Sequence, residues 1–172
     1  MENSKLMKLI YLTFFAAVLF SITSCGEKKT AYINGQKVYD DFSLTKKKQK
    51  EFINQRDQRN SVLDSLKNNI VQIENNLRIK ENPPKDELEK YRQLVQLFRS
   101  QSEQFEKENN QISIQYKDEI LKMLLDYVKE YGKTNGYDYI YGDWDTGAIM
   151  YAAEGEDVTE EVIEFINQKY KE

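Results

Sequence analysis

From residue 52 to residue 77 the chain places Phe52, Arg56, Arg59, Leu63, Leu66, Ile70, Ile73 and Leu77 at alternating steps of four and three. That spacing is a heptad seam, which keeps one narrow stripe turned toward a partner helix. Asn, Gln, Lys, Asp and Glu fill the other faces. Arg56 and Arg59 stand where apolar residues are expected, so the seam is predicted to be wet there. A second seam runs through Leu88, Tyr91, Val95, Phe98, Ser102, Phe105, Asn109, Ile112 and Tyr116. Beyond Tyr116 the step becomes four, giving Ile120, Met123 and Tyr127, and Leu121, Leu124, Leu125 and Val128 widen the stripe. A change of step alters the winding, and a wider stripe signals entry into a fuller core. Between the seams lie Pro83 and Pro84, which cannot continue a helix interior. Asp86 and Glu87 follow, suited to the positive end of the next helix. The pattern predicts an antiparallel helical hairpin over residues 45–131, tip at 82–85, with a first helix roughly 55 Å long.

The flanking segments change period. Thr30 to Asn34 reads as a strand closed by Gly35, and Gln36 to Phe42 as a helical turn. Gly132 and Gly136 mark the end of the second long helix. Tyr137 to Tyr141 alternates as a strand with Tyr137, Tyr139 and Tyr141 on one face. After the turn from Gly142 to Gly147, Ala148 to Ala153 reads as a further strand that could form a hairpin with it. A last helix starts near Asp157 to Thr159, with Val162, Ile163, Ile166 and Tyr170 on its apolar face. The predicted fold class is α+β: a coiled-coil arm projecting from a small sheet body (residues 30–44 and 132–172) with a C-terminal helix. Three short strands and one helix bury little surface alone. Their edges would also stay open. Both problems vanish if copies share a sheet, so an obligate oligomer is expected.

The N-terminus has a different logic. Lys5 and Lys8 precede an apolar run from Leu9 to Ile22, the form of a secretory signal over residues 1–24. The run ends in Ile22-Thr23-Ser24-Cys25, which resembles the lipobox of bacterial lipoproteins. That resemblance implies cleavage before Cys25 and lipidation of it. Residues 25–29 would then be a short tether, holding the body near a membrane.

Composition narrows the chemistry. The chain has 172 residues, no His and one Cys. That removes most zinc sites, His-based proton transfer and any internal disulfide. No nucleophile–base pair of the usual kind can be assembled, so no enzyme, cofactor or metal is expected. Asp143, Asp145, Glu154, Glu156 and Asp157 match no EF-hand spacing and read as solvated loop acids. Lys46, Lys47, Lys48 and Lys50 read as a solvated helix face at the base of the arm. Residues 45–130 carry 17 basic and 15 acidic side chains, whereas residues 131–172 carry 3 and 10. Nothing resembles a basic nucleic-acid surface.

The order is export signal, strand, short turn, long helical hairpin, two strands and terminal helix. With it come Ala31-Tyr32-Ile33-Asn34 through Gln36-Lys37-Val38-Tyr39, the stretch Tyr131-Gly132-Lys133-Thr134-Asn135-Gly136-Tyr137-Asp138-Tyr139-Ile140, and Asp157-Val158-Thr159-Glu160-Glu161-Val162. In these the chain resembles the OmpH/Skp family of periplasmic chaperones. The resemblance implies a homotrimer whose arms enclose a cavity and hold unfolded outer-membrane proteins without ATP. It places the chain in the periplasm, here lipid-anchored, with the outer membrane favoured. The arm residues expected to meet clients are Leu63, Leu66, Ile70, Ile73, Leu77, Tyr91, Phe98, Phe105 and Tyr116. The other reading is a structural envelope lipoprotein whose coiled coil links or spaces folded partners.

Overall fold

The computed structural model describes residues 28–144 and 146–171. The expected signal at 1–24 and the lipidated Cys25 lie outside them, as does Asp145. The elements run β1 (Thr30–Asn34), α1 (Gly35–Asp41), α2 (Ser43–Arg78), α3 (Lys85–Thr134), β2 (Tyr139–Asp143), a 3-10 turn (Glu154–Glu156) and α4 (Thr159–Lys169). The fold is mostly helical, with two long helices and a small two-stranded sheet.

Each boundary has a local cause. The Asn34 side chain caps α1 by accepting from the Lys37 N–H at 2.8 Å. Phe42 breaks the helix with an extended backbone (φ −67°, ψ 128°), and α2 starts directly after it. The Asn167 side chain of α4 clamps this joint. Its Oδ1 accepts from Ser43 N at 2.7 Å, and its Nδ2 donates to Asp41 O at 3.1 Å. One amide thus satisfies an orphan donor of α2 and an orphan acceptor of α1. At the tip, Pro84 stands as the N-cap of α3, with Asp86 and Glu87 in its first turn. Lys80 Nζ lies 2.6 Å from Glu87 and ties the two sides of the turn together. Gly136 takes φ 70°, a left-handed conformation that a side chain would strain, and ends α3.

β1 and β2 are parallel, in register from Thr30↔Tyr139 to Asn34↔Asp143. Parallel neighbours need a crossover, and here the whole arm serves as one. Ala31 and Ile33 point into the body with Ile140, while Tyr32, Tyr139 and Tyr141 occupy the other face. The core gathers Ala31, Ile33, Val38, Phe42, Leu44, Ile120, Leu124, Tyr131, Val158, Val162 and Ile166. Every one belongs to the body or the root of the arm. Gly132, inside the last turn of α3, lets Ile140 approach: a Cβ there would sit 3.3 Å from its Cδ1.

Two expectations are corrected. Ala148 to Ala153 forms no strand, and no hairpin with β2 exists. Trp144 instead folds against Gly35 and Gly142, where added Cβ atoms would lie 2.5 and 3.1 Å from its ring. The following residues pass beside Tyr32 and Tyr141 without pairing. What β1 receives on its other side is a single parallel bridge, Tyr32↔Asp157, with Val158 N donating to Tyr32 O at 3.0 Å. Tyr137 also leaves the expected tyrosine face. It precedes β2 and stacks on Tyr131, whereas Tyr139 and Tyr141 stack on each other at 6.0 Å.

Asp157 holds the start of α4, accepting from the Thr159 N–H at 2.9 Å and from its hydroxyl. Partial burial pushes the Asp157 carboxyl upward. The bonds from Thr159 and Tyr32 outweigh that and leave it below the ordinary carboxylate value. A depressed carboxylate contributes stability that is present above its unfolded value, about 4. That contribution is lost as pH falls through the lower folded value. Urea unfolding at pH 6 and pH 3 should therefore show a stability loss that Asp157→Asn partly abolishes. An equal loss in both proteins would remove Asp157 from the acid response.

Candidate functional site

The arm offers a long, partly exposed apolar surface. Leu63, Leu66, Ile70, Ile73 and Leu77 of α2 face the seam, as do Tyr91, Phe98, Phe105 and Tyr116 of α3. All nine are half-buried and none is fully buried. Two helices side by side leave part of each seam side chain uncovered, and that part of its apolar surface meets water. The structure thus brings the nine expected residues onto one stripe per helix. Full burial begins only at Leu44 and Thr45 on α2 and at Ile120 and Leu124 on α3.

The half of the arm next to the body is polar. Arg59 donates to Asn109 Oδ1 at 2.8 Å and pairs with Glu108 at 3.2 Å. Gln55 Nε2 donates to the Tyr116 hydroxyl at 3.2 Å. Lys48 pairs with Glu119 at 2.8 Å and lies 4.6 Å from the centre of the Tyr116 ring. The hydrogen bond to Glu119, opposed by partial burial, raises Lys48 above the ordinary lysine value. Arg59 is therefore a seam residue, as its spacing predicted. Arg56 is not: it is exposed beside Asp57, and Gln55 takes the seam position. One step of four, from Gln55 to Arg59, is followed by another to Leu63, and that shift moves the stripe off Arg56.

Sequence spacing missed a second set of apolar residues. Ile53, Val62, Val71 and Leu97 flank the seam and are exposed. Ile114 is more so, at 63%, and Ile79 at the tip reaches 84%; Leu125, expected in the widened stripe that enters the core, is instead 61% exposed. Their off-seam positions are the signal that identifies them. Along its length, then, the arm presents apolar side chains on the seam and beside it, set among uncharged amides and mixed charges. Such a surface suits many weak, sequence-tolerant contacts with an extended apolar chain.

The body carries another open surface. Tyr139 and Tyr141 are half-exposed, and Met150 and Tyr151 almost fully so, at 95% and 87%. The outer edge of β2 pairs with no strand among the described residues. Lys29 is engaged on the surface of the body, with Nζ 2.8 Å from Asn135 O and 4.1 Å from the centre of the Tyr137 ring. Among the described residues no helix is long and apolar enough to cross a membrane, and no group of acidic, Cys or His side chains could hold a metal ion.

The model of the family described as "Outer membrane protein (OmpH-like)" matches residues 29–166. No curated protein matches the chain. The matched span opens one residue before β1 and runs through the whole arm to Ile166 of α4, so it takes in both open surfaces. This chain belongs to the OmpH-like family of outer membrane proteins.

Proposed function

We propose that the protein is an ATP-independent holdase that keeps unfolded outer-membrane proteins from aggregating, between arms contributed by several copies. The family is one of periplasmic chaperones and not of enzymes. The observation that carries the reading in this chain is the arm itself. Beyond its root, no residue of its apolar stripes is fully covered by the chain, yet the arm is fixed to a well-packed body. A rigid spacer would bury such a seam more completely. A surface that is exposed and apolar over this length marks an interaction site.

Assembly follows from the body. A sheet of two strands leaves the β2 edge open, with Tyr139, Tyr141, Met150 and Tyr151 beside it. The segment from Ala148 to Ala153 has strand-forming sequence and no partner within the chain. We read it as a strand completed by a neighbouring copy in a trimer, which also covers the exposed aromatics.

Cys25 supports a lipid anchor. Only four residues separate it from β1, so the body would stand close to the bilayer surface, facing the periplasm. Under this reading Cys25→Ser moves the protein out of the membrane fraction; a variant still sedimenting with membranes would exclude lipid at Cys25 as the anchor. The holdase reading is tested by offering the chain a β-barrel protein in folded and in urea-unfolded form. Capture of the unfolded form alone is expected. Capture of a folded partner alone would favour a structural coiled coil that links or spaces envelope components.

A further inference from the structure

The chain enters the fold through fixed contacts at one end of α3. Asn135 caps the C-terminal end of that helix, and its carbonyl oxygen accepts from Lys29 Nζ at 2.8 Å. Lys29 and Asp138 exchange two further bonds. The Lys29 N–H donates to Asp138 Oδ2 at 2.9 Å, and the Asp138 N–H donates to Lys29 O at 2.8 Å. Lys28 lies with Nζ 5.4 Å from the centre of the Tyr139 ring, and β1 pairs with β2 from Thr30 onward. The chain is thus held on the body before β1 begins. Pro84 caps the opposite end of the same helix. α3 has 50 residues. At about 1.5 Å each, they set the tip roughly 75 Å along the helix from these contacts. On the other side, only Gly26 and Glu27 stand between Lys28 and Cys25. Even fully extended, that connection spans about 10 Å.

We propose that the end of the body around Lys28, Asn135 and Asp138 is the surface that meets the bilayer, held there by the short tether, and that the arms point away from the membrane carrying the lipid. The proposal rests on the lipid-anchor and trimer readings above and adds a direction to them. A cyclic trimer places three equal attachment points in one plane. Tethers this short bring that plane flat against the bilayer, whereas long flexible ones would let the body tumble. Arms that enclose a client run alongside the threefold axis, so their tips stand on the far side of the body from the lipid. The apolar stripes then open toward chains arriving through the periplasm. The exposed Ile79 at the tip is kept out of the acyl layer.

The test uses the full lipidated chain on vesicles of phosphatidylethanolamine and phosphatidylglycerol whose headgroups carry an energy-transfer acceptor. Cys25 is the one cysteine, so once it is acylated a donor dye goes only to an introduced thiol. Lys133→Cys, exposed in the last turn of α3, labels the base, and Ile79→Cys labels the tip. The base dye should lose most of its emission to the acceptor, and the tip dye almost none. A long Gly-Ser insertion between Gly26 and Glu27 should restore emission at the base without releasing the protein from the vesicles. Equal losses at base and tip, or a larger loss at the tip, overturn the proposal, because the arms would then lie along the bilayer or reach into it. So does a base dye that stays quenched after the insertion, since something other than the tether would then hold that end. Both results leave the lipid anchor intact. Protein that fails to float with the vesicles refutes lipid at Cys25 itself, and the proposed direction falls with it.

Discussion

Phe42→Ala should destabilise the protein by roughly 3–5 kcal/mol, the usual cost of deleting a buried phenylalanine. Phe42 is fully buried and sits at the break between α1 and α2. Its ring meets Tyr127 of α3 edge-on at 6.1 Å and Tyr170, just beyond α4, at 5.6 Å. One side chain therefore joins both helices of the arm to the terminal helix. Asn167 fixes the same joint through its two backbone hydrogen bonds. Leu66→Ala in the arm should cost less, about 1–2 kcal/mol, because that leucine is only half-buried and leaves no enclosed cavity. Urea unfolding of both variants at one fixed protein concentration makes the comparison. Equal losses would mean that the arm is packed as tightly as its root, which would contradict an adaptable client surface.

The combined change Tyr141→Asp and Met150→Asp should break the assembly. Both residues are exposed in the single chain, at 50% and 95%, so neither substitution disturbs the core of one copy. If a neighbour covers them, each new carboxylate is buried without a partner, at a cost of several kcal/mol. Two such charges per interface exceed what a small shared sheet can supply. Light scattering on protein lacking residues 1–25 should therefore show about three chain masses for the parent and one for the variant. A variant that stays at the parent mass would place the interface elsewhere on the body.

Much of the fold is legible in the chain because its strongest signals are local. The step of four and three set the seam, and the adjacent prolines set the tip within a residue. What the spacing could not show depends on distant groups. Gln55 stands on the seam in place of Arg56, where its side chain meets the hydroxyl of Tyr116, sixty-one positions away. Ala148 to Ala153 has the composition of a strand, but its pairing depends on whether an edge lies within reach. Trp144 turns the chain into the crease at Gly35 before one does. The role of Phe42 and Asn167 is also non-local, since nothing near Asn167 marks it as the clamp for a joint at residue 42. The candidate client residues were legible only as a seam. That the stripe is half-open along its length, and that Ile114, Leu125 and Ile79 add to it, follows from two helices standing without a third.

The most direct test is the mass of the protein after mixing with one unfolded outer-membrane β-barrel, one client for every three chains. Light scattering during size-exclusion chromatography reads it. The account predicts a single discrete species containing several copies of this chain and one client, with no client lost to aggregates. A client that precipitates while the chain elutes at its own mass would contradict it.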